Sequence, residues 1–154
     1  MNWFKKSQQQ NFLWKDDKEL PYANTKSLKE YYDIKYPLAG NIVGGLTVRK
    51  NIDNTDSISA SLSNYYVYRG IREIPISDFG SGKSYNAYDN NISKKLTEKI
   101  NISKQIYPLI VIVDEEGPYI LEGGHRLYAL QLLGIQSLPA LLVLDQENEQ
   151  KDIL

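Results

Sequence analysis

Apolar positions along the chain follow a helical period in some stretches and a strand period in others, and the contrast divides it near Tyr68. Before that point the patterning is weak. Residues 26–36 predict a short helix with a ragged apolar face on Leu28, Tyr31 and Tyr32, ended by Pro37. Residues 41–48 read as a strand or hairpin arm with a bulge or turn at Gly44-Gly45. Asn54-Thr-Asp-Ser57 supplies capping side chains ahead of Ile58 and Leu62, which predicts a short helix over 56–64. The tyrosines around 65–68 read as amphipathic packing residues at the rim of a core.

After Tyr68 the periods sharpen. Ile74, Ile76 and Phe79 anchor an alternating segment over 72–79, and Pro75 suits it to an edge or to a strand start. Residues 80–90 have loop composition. Ile92, Leu96 and Ile100 recur every four residues, which predicts an amphipathic helix over 90–101. Pro108-Leu-Ile-Val-Ile-Val113 is a continuous β-branched run, the mark of a strand buried on both faces. The chain turns at 114–117 and returns as a second strand over 118–121. A helix over 125–133 follows, with Gly134 just beyond its end, and 138–144 form a last strand. The expected fold class is α/β (α+β): a small mixed sheet with packed helices over 69–154, behind an N-terminal extension over 1–68 with no assigned role.

Composition narrows the function classes. A formal net charge of −1 advertises neither nucleic acid nor an anionic membrane. Arg69, Arg72, Lys83, Lys94, Lys95, Lys99, Lys104 and Arg126 are balanced by Glu73, Asp78, Asp89, Glu98, Asp114, Glu115, Glu116 and Glu122. A DNA-binding domain that relies on counterion release would be visibly basic over this span. Cysteine is absent, which removes disulfides, thiolate metal ligands and cysteine nucleophiles. No apolar run approaches the roughly 20 residues of a membrane span, and residues 1–10 have no secretory core, so a cytoplasmic protein is expected.

The chemistry concentrates in Glu122-Gly-Gly-His-Arg126, between the predicted strand and helix. Gly123 and Gly124 permit positive φ and close approach of backbone to a ligand. A helix N-terminus presents unsatisfied amides and about half a positive charge, which suits phosphate. Arg126 can grip a phosphate through two donors. His125, the only histidine in the chain, is a titratable candidate for ligand binding and for catalysis, and Glu122 can hold a magnesium ion or act as a base. Weaker candidates are Lys83, which can fold over a bound phosphate, Arg72, as a surface charge or second anion clamp, and Glu73, as a base. Gly80-Ser-Gly-Lys-Ser84 lacks P-loop spacing.

The run from Tyr107 to Leu144 resembles the ParB/sulfiredoxin superfamily. Pro108-Leu-Ile-Val, Glu122-Gly-Gly-His-Arg-Leu127, Ala129, Leu133-Gly134 and Leu138-Pro-Ala-Leu141 fall where that pattern has its strand, turn, helix and Pro-initiated strand. The likeness spans about 69–145, with Arg72-Glu-Ile-Pro-Ile-Ser77 as its opening strand. The resemblance implies a nucleotide-binding turn, taking CTP in ParB proteins and ATP in sulfiredoxins, and present also in the free serine kinases of this fold. Gly123 matches the shared glycine, His125 the His-or-Arg position, and Arg126 the shared arginine. Glu122 stands where the kinases carry aspartate. Gly124 replaces the sulfiredoxin cysteine, which excludes that chemistry, and the ParB turn is only partly matched.

The expected function is therefore binding of a nucleotide (CTP, ATP or ADP, with magnesium), with hydrolysis or transfer of a phosphoryl group as the consistent reaction. The alternatives are a non-catalytic module that binds a protein partner through its edge strand or N-terminal half, and a DNA-binding or nuclease domain of a phage or mobile element.

Overall fold

A computed structural model describes residues 27–49, 65–79 and 91–145. The helix expected over 56–64, the loop carrying Lys83 and the tail after Asp145 lie outside the described residues.

The β-branched run forms the interior strand of a four-stranded sheet. Leu109–Asp114 (β5) lies between Gly117–Glu122 (β6) and Ser137–Asp145 (β7), and Tyr65–Pro75 (β3) completes the order β3-β7-β5-β6. Leu109, Ile110, Val111 and Val113 are all fully buried, as a run without polar alternation requires. The hairpin β5–β6 is antiparallel, while β5 and β7 run parallel from Leu109↔Ala140 to Val113↔Leu144. A parallel pair needs a crossover, and the helix Gly124–Leu132 provides it. Gly134 follows with φ +71, the left-handed stop expected there. Tyr65–Pro75 is an edge strand, with Pro75 at its last position, and the chain then winds a 3-10 turn over Ile76–Phe79 instead of continuing extended.

The expected single sheet is in fact two. Ile42–Val43 (β1) and Leu46–Val48 (β2) form a hairpin, and β2 pairs in parallel with Gln105–Ile106 (β4). Gly44 (φ +60) and Gly45 (φ +84) make the positive-φ turn that a two-residue hairpin prefers. A Cβ on Gly44 would lie 2.5 Å from Ile135 and 2.8 Å from the Ser137 carbonyl, so this hairpin presses against the approach to β7. The two-residue β4 has too little sequence to show a period.

A boundary after residue 68 therefore cuts through strand Tyr65–Pro75. Leu28, Tyr32, Tyr36 and Leu46 share one core cluster with Ile100, Val111, Leu127 and Leu142. Helix Leu28–Lys35 (α1) starts on a serine N-cap, with the Ser27 hydroxyl accepting from Glu30 N at 3.1 Å. Tyr32 and Tyr36 lie in the core, Tyr31 packs against it half-buried, and the two core hydroxyls are paired. Tyr32 donates to the Asp114 carbonyl at 2.8 Å and Tyr36 to Asp78 at 2.6 Å. Burial and the neighbouring Asp78 carboxylate hold the Tyr36 phenol well above its ordinary titration range.

Arg72 closes the other end of α1, which corrects its expected roles as a surface charge or an anion clamp. It is 5% exposed. Its Nη1 is shared among Asp33 Oδ1 at 2.7 Å, the Tyr36 carbonyl at 3.1 Å and the Asp33 carbonyl at 3.2 Å, and Nε donates to the Arg69 carbonyl at 3.1 Å. Those carbonyls at the end of α1 are orphan acceptors that a cation satisfies. Asp33 is more than half exposed, so the ion pair adds little beyond the carbonyl bonds. Replacing Arg72 by Met should cost about 2–4 kcal/mol in urea unfolding, because buried acceptors lose their donor. Arg72→Lys should recover only part, having no planar fork.

Candidate functional site

The site begins where β6 hands over to the crossover helix. The second helix along the chain, Asn91–Ser103, is α2, and Gly124–Leu132 is α3. Gly123 is the N-cap of α3 in a left-handed conformation, φ 115 and ψ 23, and no side chain caps the helix from that position. The first helical bond runs from Leu127 N to the Gly123 carbonyl at 2.9 Å. The amides of Gly124, His125 and Arg126 precede it and have no partner within the helix ladder. Gly124 is buried and helical, so only the first of the two glycines uses the freedom expected of both.

This turn opens on a cleft of about 580 Å³. Among the described residues its cations are Arg49, Lys99 and Arg126, set against the single carboxylate of Glu122, a formal charge of 3 − 1 = +2 with His125 neutral. The chain as a whole carries −1. The cleft is a local reversal of sign. Its apolar wall includes Ile92, Leu96 and Leu121. Ile92, expected on the core face of its helix, is 62% exposed there, while Ile100 two turns on is buried.

Sequence reasoning placed Glu122, Gly123, Gly124, His125 and Arg126 together, and all five line the cleft. Glu122 is half-buried at the end of β6, paired across the ladder with Ile110. Arg126 is half-buried with its Nε enclosed by protein. The His125 ring is held from behind, its Nδ1 lying 2.7 Å from the hydroxyl of Ser93, which is fully buried on α2. Among the described residues no three His, Asp or Glu gather as a metal site. A magnesium ion at Glu122 would take its remaining ligands from phosphates and water, its usual habit.

Arg72 is in the α1 cap and does not line the cleft. Glu73 lies on β3, where its Oε2 accepts from the Ser137 hydroxyl at 2.9 Å, and it is also absent from the cleft lining. Its expected role as a base has no support in this placement. Arg49 and Lys99 were missed. Arg49 arrives because β2 pairs with β4: its amide donates to the Ile106 carbonyl at 2.9 Å, and Nη1 to Gln105 Oε1 at 3.0 Å. Its guanidinium sits 4.9 Å from the Tyr107 ring centre. The only sequence signal was a cation directly after a strand pattern, and its partner Gln105 is 56 residues away.

Gly123 is a steric requirement as well as a conformational one. A Cβ there would lie 2.7 Å from Leu109 Cγ, whereas one on Gly117 (φ +126) meets nothing within 4 Å. Both Gly→Ala changes should cost about 1–3 kcal/mol from backbone strain. Gly123→Ala should exceed Gly117→Ala by a clear margin in parallel denaturation curves, because only it collides with the core.

No family model and no curated protein matches the sequence. Two solved structures are similar over part of it. A sulfiredoxin from Arabidopsis thaliana is 26% identical with a TM-score of 0.37, covering 47% of this chain and 82% of that one. A Pnob8-like ParB-N domain is 19% identical with a TM-score of 0.40, covering 56% of this chain and 34% of that one, so this chain spans about a third of its length.

Proposed function

We propose that the chain binds the phosphates of a nucleotide at the β6–α3 turn. The observation that carries this reading is a cleft at the glycine start of α3 that is lined, among the described residues, by three cations and one carboxylate. A helix N-terminus and guanidinium groups lining one volume suit an acceptor-rich anion better than any neutral ligand. The apolar wall on α2 and β6 gives a base or ribose a dry surface beside the phosphates. The superfamily resemblance points to CTP, ATP or ADP as the ligands to try first.

In this reading the backbone of Gly123 and Gly124 approaches the phosphates, and His125 and Arg126 donate to them. Arg49 and Lys99 neutralise charge from the opposite side of the cleft. Glu122 is the one acidic group in the lining, and it would meet a magnesium ion carried in by the nucleotide. Phosphoryl transfer asks an enzyme mainly for positioning and charge neutralisation. Hydrolysis or transfer is therefore the reaction this set of residues is suited to, with Glu122 and His125 as its catalytic candidates.

Calorimetric titration with CTP, ATP and ADP, with and without magnesium, tests the reading. At least one should bind, more weakly as salt rises, since the cleft is open to screening ions. Arg126→Ala should weaken binding about tenfold or more, the usual worth of a charge-assisted hydrogen bond. Arg72→Met, remote from the cleft, should leave the affinity of folded protein unchanged. No heat from any nucleotide with a folded sample refutes the reading.

A further inference from the structure

We propose that the far end of the cleft, where Arg49 lies over Tyr107, is the subsite for the base of the nucleotide. The proposal rests on the phosphate reading for where the other end of the ligand sits. Two serines on α2 measure the cleft. The Ser93 hydroxyl lies 2.7 Å from the His125 ring, and the Ser103 hydroxyl accepts from Gln105 N at 3.2 Å. Ser103 follows Ser93 by 103 − 93 = 10 positions of one helix, a rise of about 15 Å at 1.5 Å per residue. That is room for a nucleotide laid lengthwise. Phosphates at the start of α3 then put the base beside Gln105, Tyr107 and Arg49, all three of which line the cleft.

The side chains at this end are arranged to hold a plane. The Arg49 guanidinium sits over the Tyr107 ring, 4.9 Å from its centre, and Nη1 donates to Gln105 Oε1 at 3.0 Å. Arginine has donors only, so the amide atom that faces it is the oxygen, and the orientation of Gln105 follows. A cation wanted for its charge alone needs no such fixing. Lys99, a point charge on a flexible stem, serves that purpose. Arg49 is instead held by a ring and an amide while remaining exposed. A guanidinium plane stacks on a nucleobase as an aromatic side chain does, and the Tyr107 ring against it adds cation–π attraction. Stacking tolerates any base, because every base has a π face. The charge of Arg49 adds to the field of the cleft, and its plane recognises the base. Residue 49 lies well before the stretch that carries the superfamily resemblance, so the N-terminal half takes part in recognising the ligand.

The test compares ATP and CTP with ribose 5-triphosphate, which has the same phosphates and no base. In calorimetric titrations with magnesium, full-length wild type should bind both nucleotides more tightly than the base-free ligand. Arg49→Lys keeps the charge and loses the plane. The advantage of the nucleotides over ribose 5-triphosphate should then shrink about fivefold or more, the lower end of what one stacked base is worth. Arg49 is exposed, so the variant should melt as wild type does. A nucleotide advantage unchanged in Arg49→Lys overturns the proposal, because the residue then acts by charge alone. Wild type that binds ribose 5-triphosphate as tightly as ATP overturns it too, yet leaves the phosphate reading standing. If none of the three ligands binds, both fail together.

Discussion

The close approach of Gly123 to Leu109 is the constraint on which the rest of the site depends. Leu109 opens the interior strand and is fully buried, and the chain leaving β6 must turn directly above it. Only a residue without Cβ and with φ near 115 can make that turn. The direction of α3 follows from it. A bulkier cap would lift the helix off the sheet and also supply a competing side chain at its N-terminus. Core packing and the proposed anion binding therefore place the same demand on one residue.

The N-terminal half is part of this arrangement. Arg72 joins the end of α1 to the edge strand, and the Gly44-Gly45 turn presses on the approach to β7. Strand β2 then lies along β4 and delivers Arg49 to the cleft. A cation from residue 49, one from α2 and one from α3 meet only because three separate packings agree. In a chain with a formal charge of −1, such a meeting does not come from overall composition. It comes from topology.

That difference also explains what could be read beforehand. The interior strand, the hairpin, the crossover helix and its glycine stop were legible because each follows a local rule: a buried run, a turn, a period, a left-handed cap. The cluster from Glu122 to Arg126 was legible for the same reason, being contiguous. Arg49, Lys99 and Ser93 were not, since long-range pairing alone assigns their neighbours. Arg72 misled because a charged residue beside a strand usually faces solvent, and here two helix-end carbonyls and that of Arg69 compensate its burial. Ile92 kept its helical period but turned it toward the cleft, where an apolar wall serves a ligand as well as a core.

The electrostatics favour holding over reacting as the cleft's first task. One carboxylate among three cations stabilises negative charge well, since each added phosphate finds a donor already in place. In the proposed reading, a site so built would gain turnover chiefly by orienting phosphates, and the attacking group would be activated by its own placement. Binding strength would then rest on the cations of the cleft, and catalytic rate on Glu122.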